Sequence, residues 1–263
     1  QGYQTWDSDL INIELVPQTG RGVYVAVLDT GMVPNWRDYF PEARVATHLG
    51  AGFYQPVSFK AKGNACGLAA DFGKLQTSTW VGGDGISHGT HVASTILGYT
   101  YRANFDAAEG YALPPIVVRG IAPEVTVIPI RVLADYKVPA LPKCAPALPS
   151  GTTVFGTEEM IAAGIRYATD LKRAGYSPMV INMSLGGLEL VEVEKKALDY
   201  AIDNGVIVVA AAGNSGEAGM GYPGAYPPVI SAGSIGWVGE WLNPTDGQPR
   251  YRMWWLQDNP SSM

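Results

Sequence analysis

Val23-Tyr24-Val25-Ala26-Val27-Leu28-Asp29-Thr30-Gly31 opens with an unbroken apolar, β-branched run and closes on Asp-Thr-Gly. A strand with one wet face alternates apolar and polar side chains. A continuous run of this length suits a strand covered on both faces, as in a parallel sheet between helices. Functional groups in open α/β sheets gather at the carboxyl ends of such strands, and Asp29 stands at that position. An Asp ahead of a Gly also makes ordinary turns, so this stretch alone leaves both uses open.

The pattern repeats outward from there. Val125–Leu133, Met179–Ser184, Val206–Ala212 and Val229–Ser234 read as further strands. Between them, apolar residues at helical spacing (Met160, Ile161, Ile165, Ala168, Leu171) predict a helix over Glu158–Ala174, stopped by Gly175. A second helix is predicted over Glu189–Asn204, with Gly205 as its stop. A shorter one is expected from about Thr90 to Leu97. This alternation predicts an α/β fold: three layers, with a mainly parallel β-sheet flanked by helices. The segments near 45–87, 99–118, 136–153 and 237–263 lack strong periodicity and are expected to be loop insertions.

Composition narrows the function classes. In 263 residues, 47 % are hydrophobic and 16 % charged, which excludes a disordered chain and allows one sizeable core. The net charge of −6 and the absence of a basic cluster argue against nucleic acid as a partner. No apolar run reaches membrane-spanning length, so no membrane span is expected. The two cysteines, Cys66 and Cys144, have no metal-type spacing; they form one disulfide in an oxidising compartment or stand as free thiols. The chain starts at Gln1, and the expectation is a processed, mature N-terminus.

Two of the three histidines lie in Gly85-Ile86-Ser87-His88-Gly89-Thr90-His91-Val92-Ala93-Ser94. His88 sits at a helix entrance, where an imidazole is well placed for proton transfer; capping and packing explain the stretch equally well. A third polar signal, Asn214, follows the strand Val206–Ala212. An Asp, a His and an amide donor are three parts of an acyl-transfer site. Two other chemistries fit poorly. Aspartic proteases need two carboxylates sharing a proton, and only one Asp-Thr-Gly is present. His88 and His91 lack the intervening Glu and the spacing of a zinc-binding helix.

Val25–Gly31, His88–Ala93, Gly120–Pro123, Asn182–Gly187, Ala211–Asn214 and Gly221–Pro227, in this order, resemble the signature segments of the subtilisin-like serine proteases. The resemblance implies a subtilisin-like fold and a single catalytic domain over 1–263, incomplete at its C-terminus. It implies that Asp29 orients, that His88 is the base and that Asn214 is the oxyanion donor. Ser184, Leu185 and Gly186 would pair with the backbone of a peptide or protein substrate, and Ala211, Ala212 and Gly213 would line the primary specificity pocket. Asp38 matches by offset a ligand of structural calcium in many members, and no catalytic cofactor is implied. His91 would be structural. The family's nucleophile lies in a Gly-Thr-Ser-Met-Ala segment, which this sequence does not contain. The expectation is therefore a serine endopeptidase whose Ser comes from a missing or separate C-terminal part. The competing expectation is an inactive binding or structural subunit on the same fold. An extracellular setting is implied by the resemblance, the missing Met and the possible Cys66–Cys144 pair.

Overall fold

The structure is a computed structural model and describes residues 5, 8, 10–61, 68–82, 87–101, 115–139, 151–216 and 219–234. Cys66, Cys144 and the segment 237–263 lie outside the described residues. In chain order the elements are β1 (Tyr24–Asp29), β2 (Ala51–Tyr54), β3 (Val57–Ala61), β4 (Leu68–Phe72), β5 (Gln76–Ser78), α1 (His88–Leu97), β6 (Gly98–Tyr101) and β7 (Ile116–Arg119). There follow β8 (Thr126–Arg131), β9 (Ala134–Val138), β10 (Gly151–Phe155), α2 (Glu158–Arg173), β11 (Met179–Met183), α3 (Glu192–Asp203), β12 (Ile207–Ala211) and β13 (Ile230–Ala232).

Seven strands form one sheet in the order β13-β12-β11-β1-β8-β2-β5. Every pairing is parallel except the last, where β5 runs antiparallel to β2. The pleat of β1 divides its side chains between two cores. Val25 and Val27 pack with Ala93 and Leu97 of α1, together with Met32, Trp36 and Phe40. Ala26 and Leu28 pack on the other face with Ala162, Ile165 and Ala168 of α2 and Ala197, Leu198 and Ala201 of α3. The result is a three-layer α/β fold, with the unbroken apolar run of β1 in its middle layer.

Local sequence explains the helix ends. Thr157 caps α2, its side chain accepting from the Met160 N–H at 3.3 Å. Glu158 and Glu159 occupy the first turn and Lys172 and Arg173 the last, each complementing the helix dipole. Gly164 lets α2 lie close on the sheet, since a Cβ there would stand 2.6 Å from Val132 Cγ1 and 3.2 Å from Leu28 Cδ2. Helix α3 starts three residues later than Glu189, because Val191 is extended and the preceding chain is tied to Tyr222: the Gly187 N–H donates to the Tyr222 carbonyl at 2.7 Å.

The expectation of irregular loops is corrected at three places. Segment 45–87 contributes two strands of the main sheet, β2 and β5, and an antiparallel ribbon, β3–β4. Strands β6 and β7 form a second ribbon and β9 and β10 a third. The third ribbon is rooted in the molecule. Tyr136 is buried, stacks on Phe155 with ring centroids 4.2 Å apart, and donates its hydroxyl to the Gln55 carbonyl at 2.6 Å. Burial pushes the Tyr136 phenol up to about 12. Among the described residues no helix is long and apolar enough to cross a membrane.

Glu194, in the first turn of α3, is buried; burial, with Glu158 adding to it, raises its carboxyl to about 7. The folded state then binds more protons than the unfolded chain between pH 4.5 and 7, so this group lowers stability as pH rises through that window. Glu194→Gln should melt higher than the parent at pH 8, by at least about 2 °C, and at the same temperature at pH 4.5. Thermal unfolding by circular dichroism at the two pH values checks this.

Candidate active site

The site begins where β1 ends. Asp29 is its last residue, in register with Arg131 of β8, and is fully buried. A buried carboxylate is costly unless hydrogen-bonded. The backbone N–H of Thr30 donates to Asp29 Oδ1 at 2.6 Å. The imidazole of His88, the first residue of α1, places Nδ1 2.8 Å from Oδ1 and 2.9 Å from Oδ2. An ionised carboxylate only accepts, so Nδ1 carries the proton and Nε2 keeps its lone pair. His88 is about half exposed, its side chain at 54 %, while its partner is at 0 %.

That arrangement raises the His88 pKa above its ordinary 6.5. The hydrogen bond to Asp29 is the larger cause; the carboxylate's charge adds to it, and partial burial opposes it. The charged pair thus stabilises the fold fully below pH 6.5, and the contribution is lost as pH rises through the raised value. Proton abstraction runs the other way, because only the neutral imidazole accepts a proton.

A cavity of about 380 Å³ opens beside this pair. Thr30 and His88 line it, Leu133, Val154, Phe155 and Ile161 supply apolar wall, and Gly156, Ser184, Leu185 and Gly186 complete it. The three residues read as a substrate-pairing edge therefore share a cleft with His88. Asn182 Nδ2 donates to Ser184 Oγ at 3.1 Å within that edge. Ala211 ends β12, and Ala212, Gly213 and Asn214 follow it, two strands from β1 and at the same end of the sheet, but none of the four lines this cavity. The turn 219–223 joins the two strand ends: the Gly221 N–H donates to the Ala212 carbonyl at 2.8 Å, and the Tyr222 N–H to the Gly187 carbonyl at 2.9 Å. Asn214 is exposed in its turn.

Two larger cavities lie elsewhere. One of about 680 Å³ follows the outer face of α1, and His91 lines it from an exposed position. The other, of about 810 Å³, borders Asp38. Asp38 is exposed and accepts from Asn35 Nδ2 at 3.1 Å. Among the described residues no group of three or more His, Cys, Asp or Glu is placed to hold a metal ion. A calcium ion takes six to eight oxygens, so Asp38 would need further oxygen ligands beside it.

Sequence reading passed over Thr30, Leu133, Phe155 and Ile161. Thr30 was within sight, between Asp29 and Gly31, but its hydroxyl meets α1 only in three dimensions: Oγ1 accepts from the Gly89 N–H at 2.9 Å. Phe155 ends the ribbon that looked like a surface insertion.

Known proteins share this architecture. The profile of the Subtilase family matches residues 20–240. Subtilisin DY of Bacillus licheniformis is 32% identical over 220 residues, covering 82% of this chain and 57% of that protein. The major intracellular serine protease of Bacillus subtilis (strain 168) is 37% identical over 153 residues, covering 56% of this chain and 37% of its own length. Among solved structures, S41 psychrophilic protease superposes with a TM-score of 0.56 at 28% identity, covering 92% of this chain and 64% of that one. The chain thus spans 57% or less of the length of these two relatives.

The Asp29–His88 contact has a direct readout. Imidazole titration by NMR should place His88 above 6.5 in the parent. In Asp29→Asn the midpoint should fall to 6.5 or below, because partial burial then acts without the carboxylate. Equal midpoints in the two proteins would rule out Asp29 as the cause.

Proposed function

The chain belongs to the subtilase family, and from that premise we propose that it is the acid-, base- and oxyanion-bearing part of a serine endopeptidase. The observation that carries this reading is the buried Asp29 carboxylate 2.8 Å from His88 Nδ1, with the cleft beside it. In the proposed reaction a seryl hydroxyl attacks the scissile carbonyl carbon while His88 Nε2 takes its proton. Asp29 holds the tautomer and stabilises the imidazolium. Asn214 hydrogen-bonds the oxyanion of the tetrahedral intermediate. Collapse breaks the C–N bond, and the leaving amine takes the proton from His88. Water then repeats the sequence on the acyl-enzyme and releases the acid.

Ser184, Leu185 and Gly186 would bind the substrate backbone as an added strand. Small residues at Ala211, Ala212 and Gly213 would leave room for a sizeable apolar side chain. The nucleophile is the open part of the proposal. No Gly-Thr-Ser-Met-Ala segment occurs in these 263 residues, and the serine would belong to further polypeptide. An open apolar surface supports that. By strand register Ile207 and Ile230 share the α1 face of the sheet with Val25, yet they are 52 % and 56 % exposed. Parallel sheets are normally covered on both faces.

The missing segment also favours a second reading, an inactive subtilase-fold binding or structural subunit. Structural calcium through Asp38 is proposed from the resemblance alone. Secretion is proposed on the same footing; one relative carries "intracellular" in its name, so family membership by itself leaves the compartment open.

A fluorophosphonate probe applied to native material, with every copurifying polypeptide retained, should label one serine and block peptide hydrolysis. His88→Ala should cut both at least about 10³-fold. A complete native sample that takes no label and cleaves no peptide would establish the inactive subunit instead.

A further inference from the structure

We propose that Thr30 is a positioning residue: its buried hydroxyl caps the first turn of α1 from across the site and so sets His88 against Asp29. A helix start leaves its first N–H groups unpartnered, and a side chain just before the helix usually accepts from one of them. Ser87 holds that place in α1 and makes no such bond. The acceptor comes from 59 residues away instead, where Thr30 Oγ1 receives the Gly89 N–H at 2.9 Å. Thr30 is 1 % exposed, so the bond is sheltered from water.

The same residue holds the other partner. The Thr30 backbone N–H donates to Asp29 Oδ1 at 2.6 Å. One residue therefore binds the carboxylate through its backbone and the helix carrying the imidazole through its side chain. A second bond runs in the opposite direction: the Val33 N–H donates to Thr90 Oγ1 at 2.9 Å, and Thr90 is buried too. Two antiparallel hydroxyl–amide bonds between the turn after β1 and the first turn of α1 oppose both sliding and rotation of the helix. Gly89 makes the approach possible. A Cβ there would overlap the Gly31 carbonyl oxygen and stand 3.1 Å from Asp29 Cβ.

His88 follows directly from this latch, since it precedes Gly89 in the chain and meets Asp29 at 2.8 Å. The catalytic consequence rests on the proposed function; the geometric one does not. Misplacement of a reacting group by about 1 Å can cost about 10²-fold in rate. Loss of the Thr30 hydroxyl should therefore act on turnover and leave substrate binding almost untouched.

The test uses Thr30→Val, which removes the hydroxyl at nearly constant shape, and Thr30→Ser, which keeps it. In Thr30→Val the NMR titration midpoint of His88 should move down toward 6.5, and Thr30→Ser should restore the parent value. In the complete native enzyme, Thr30→Val should lower kcat about 10- to 100-fold with KM within about 2-fold, again rescued by Ser. Thr90→Val, which cuts the reciprocal bond, should shift the titration in the same direction. In the parent, the Gly89 amide should be protected from hydrogen exchange, a readout that needs no variant to fold. A folded Thr30→Val protein titrating like the parent, or fast exchange at Gly89, overturns the proposal. A shifted titration in material that takes no fluorophosphonate label leaves the latch standing and removes the protease reading.

Discussion

A buried carboxylate needs partners, and the site is arranged around that need. Asp29 is fully buried at the end of a strand covered on both faces. Leaving such a charge without hydrogen bonds costs several kcal/mol. Its neighbours answer from two directions: the adjacent backbone N–H of Thr30, and the imidazole of His88, brought from the start of α1. The same contact that satisfies Asp29 orients His88, raises its affinity for a proton and leaves Nε2 outside the pair. A requirement of folding and a requirement of the proposed chemistry are met by one hydrogen-bonded pair.

That pair is held by packing farther away. The alternating side chains of β1 divide between two cores, so α1 on one face and α2 with α3 on the other fix the strand against movement. Small residues at the contacts, Ala93 on one side and Ala162, Gly164 and Ala168 on the other, bring the helices close to the sheet. The parallel arrangement then sets the carboxyl ends of β1, β11 and β12 side by side. Asp29, Ser184–Gly186 and Ala211–Asn214 stand at one end of the sheet because consecutive strands run the same way.

Much of this was legible in the chain. The continuous apolar runs of β1 and β8 announce strands buried on two faces, and Gly175 and Gly205 mark where α2 and α3 stop. Period and stop signals are local, and local signals survive without a structure. The ribbons were harder to see. Tyr136 and Phe155 sit in a segment rich in Pro and small residues, and their mutual stacking depends on an antiparallel pairing that spans residues 134–155. Strands β2 and β5 were hidden for the same reason, since each is three or four residues long and gains its place from the partner it pairs with.

The sequence by itself determined the class of fold and the alternation of strands and helices, and it singled out Asp29, His88 and Asn214, in that order, as candidates. Each of these is carried by neighbours in the chain, through side-chain period, turn residues and short motifs. Only the tertiary structure decided which groups meet. It brought His88 to Asp29 across 59 residues, put Ser184–Gly186 into the same cleft, kept Asn214 at a neighbouring strand end outside that cavity, and turned Thr30 into the cap of a distant helix. The physical reason is that a hydrogen bond depends on distance and direction in space, and these are set by how the sheet and α1 pack together, which no local pattern encodes.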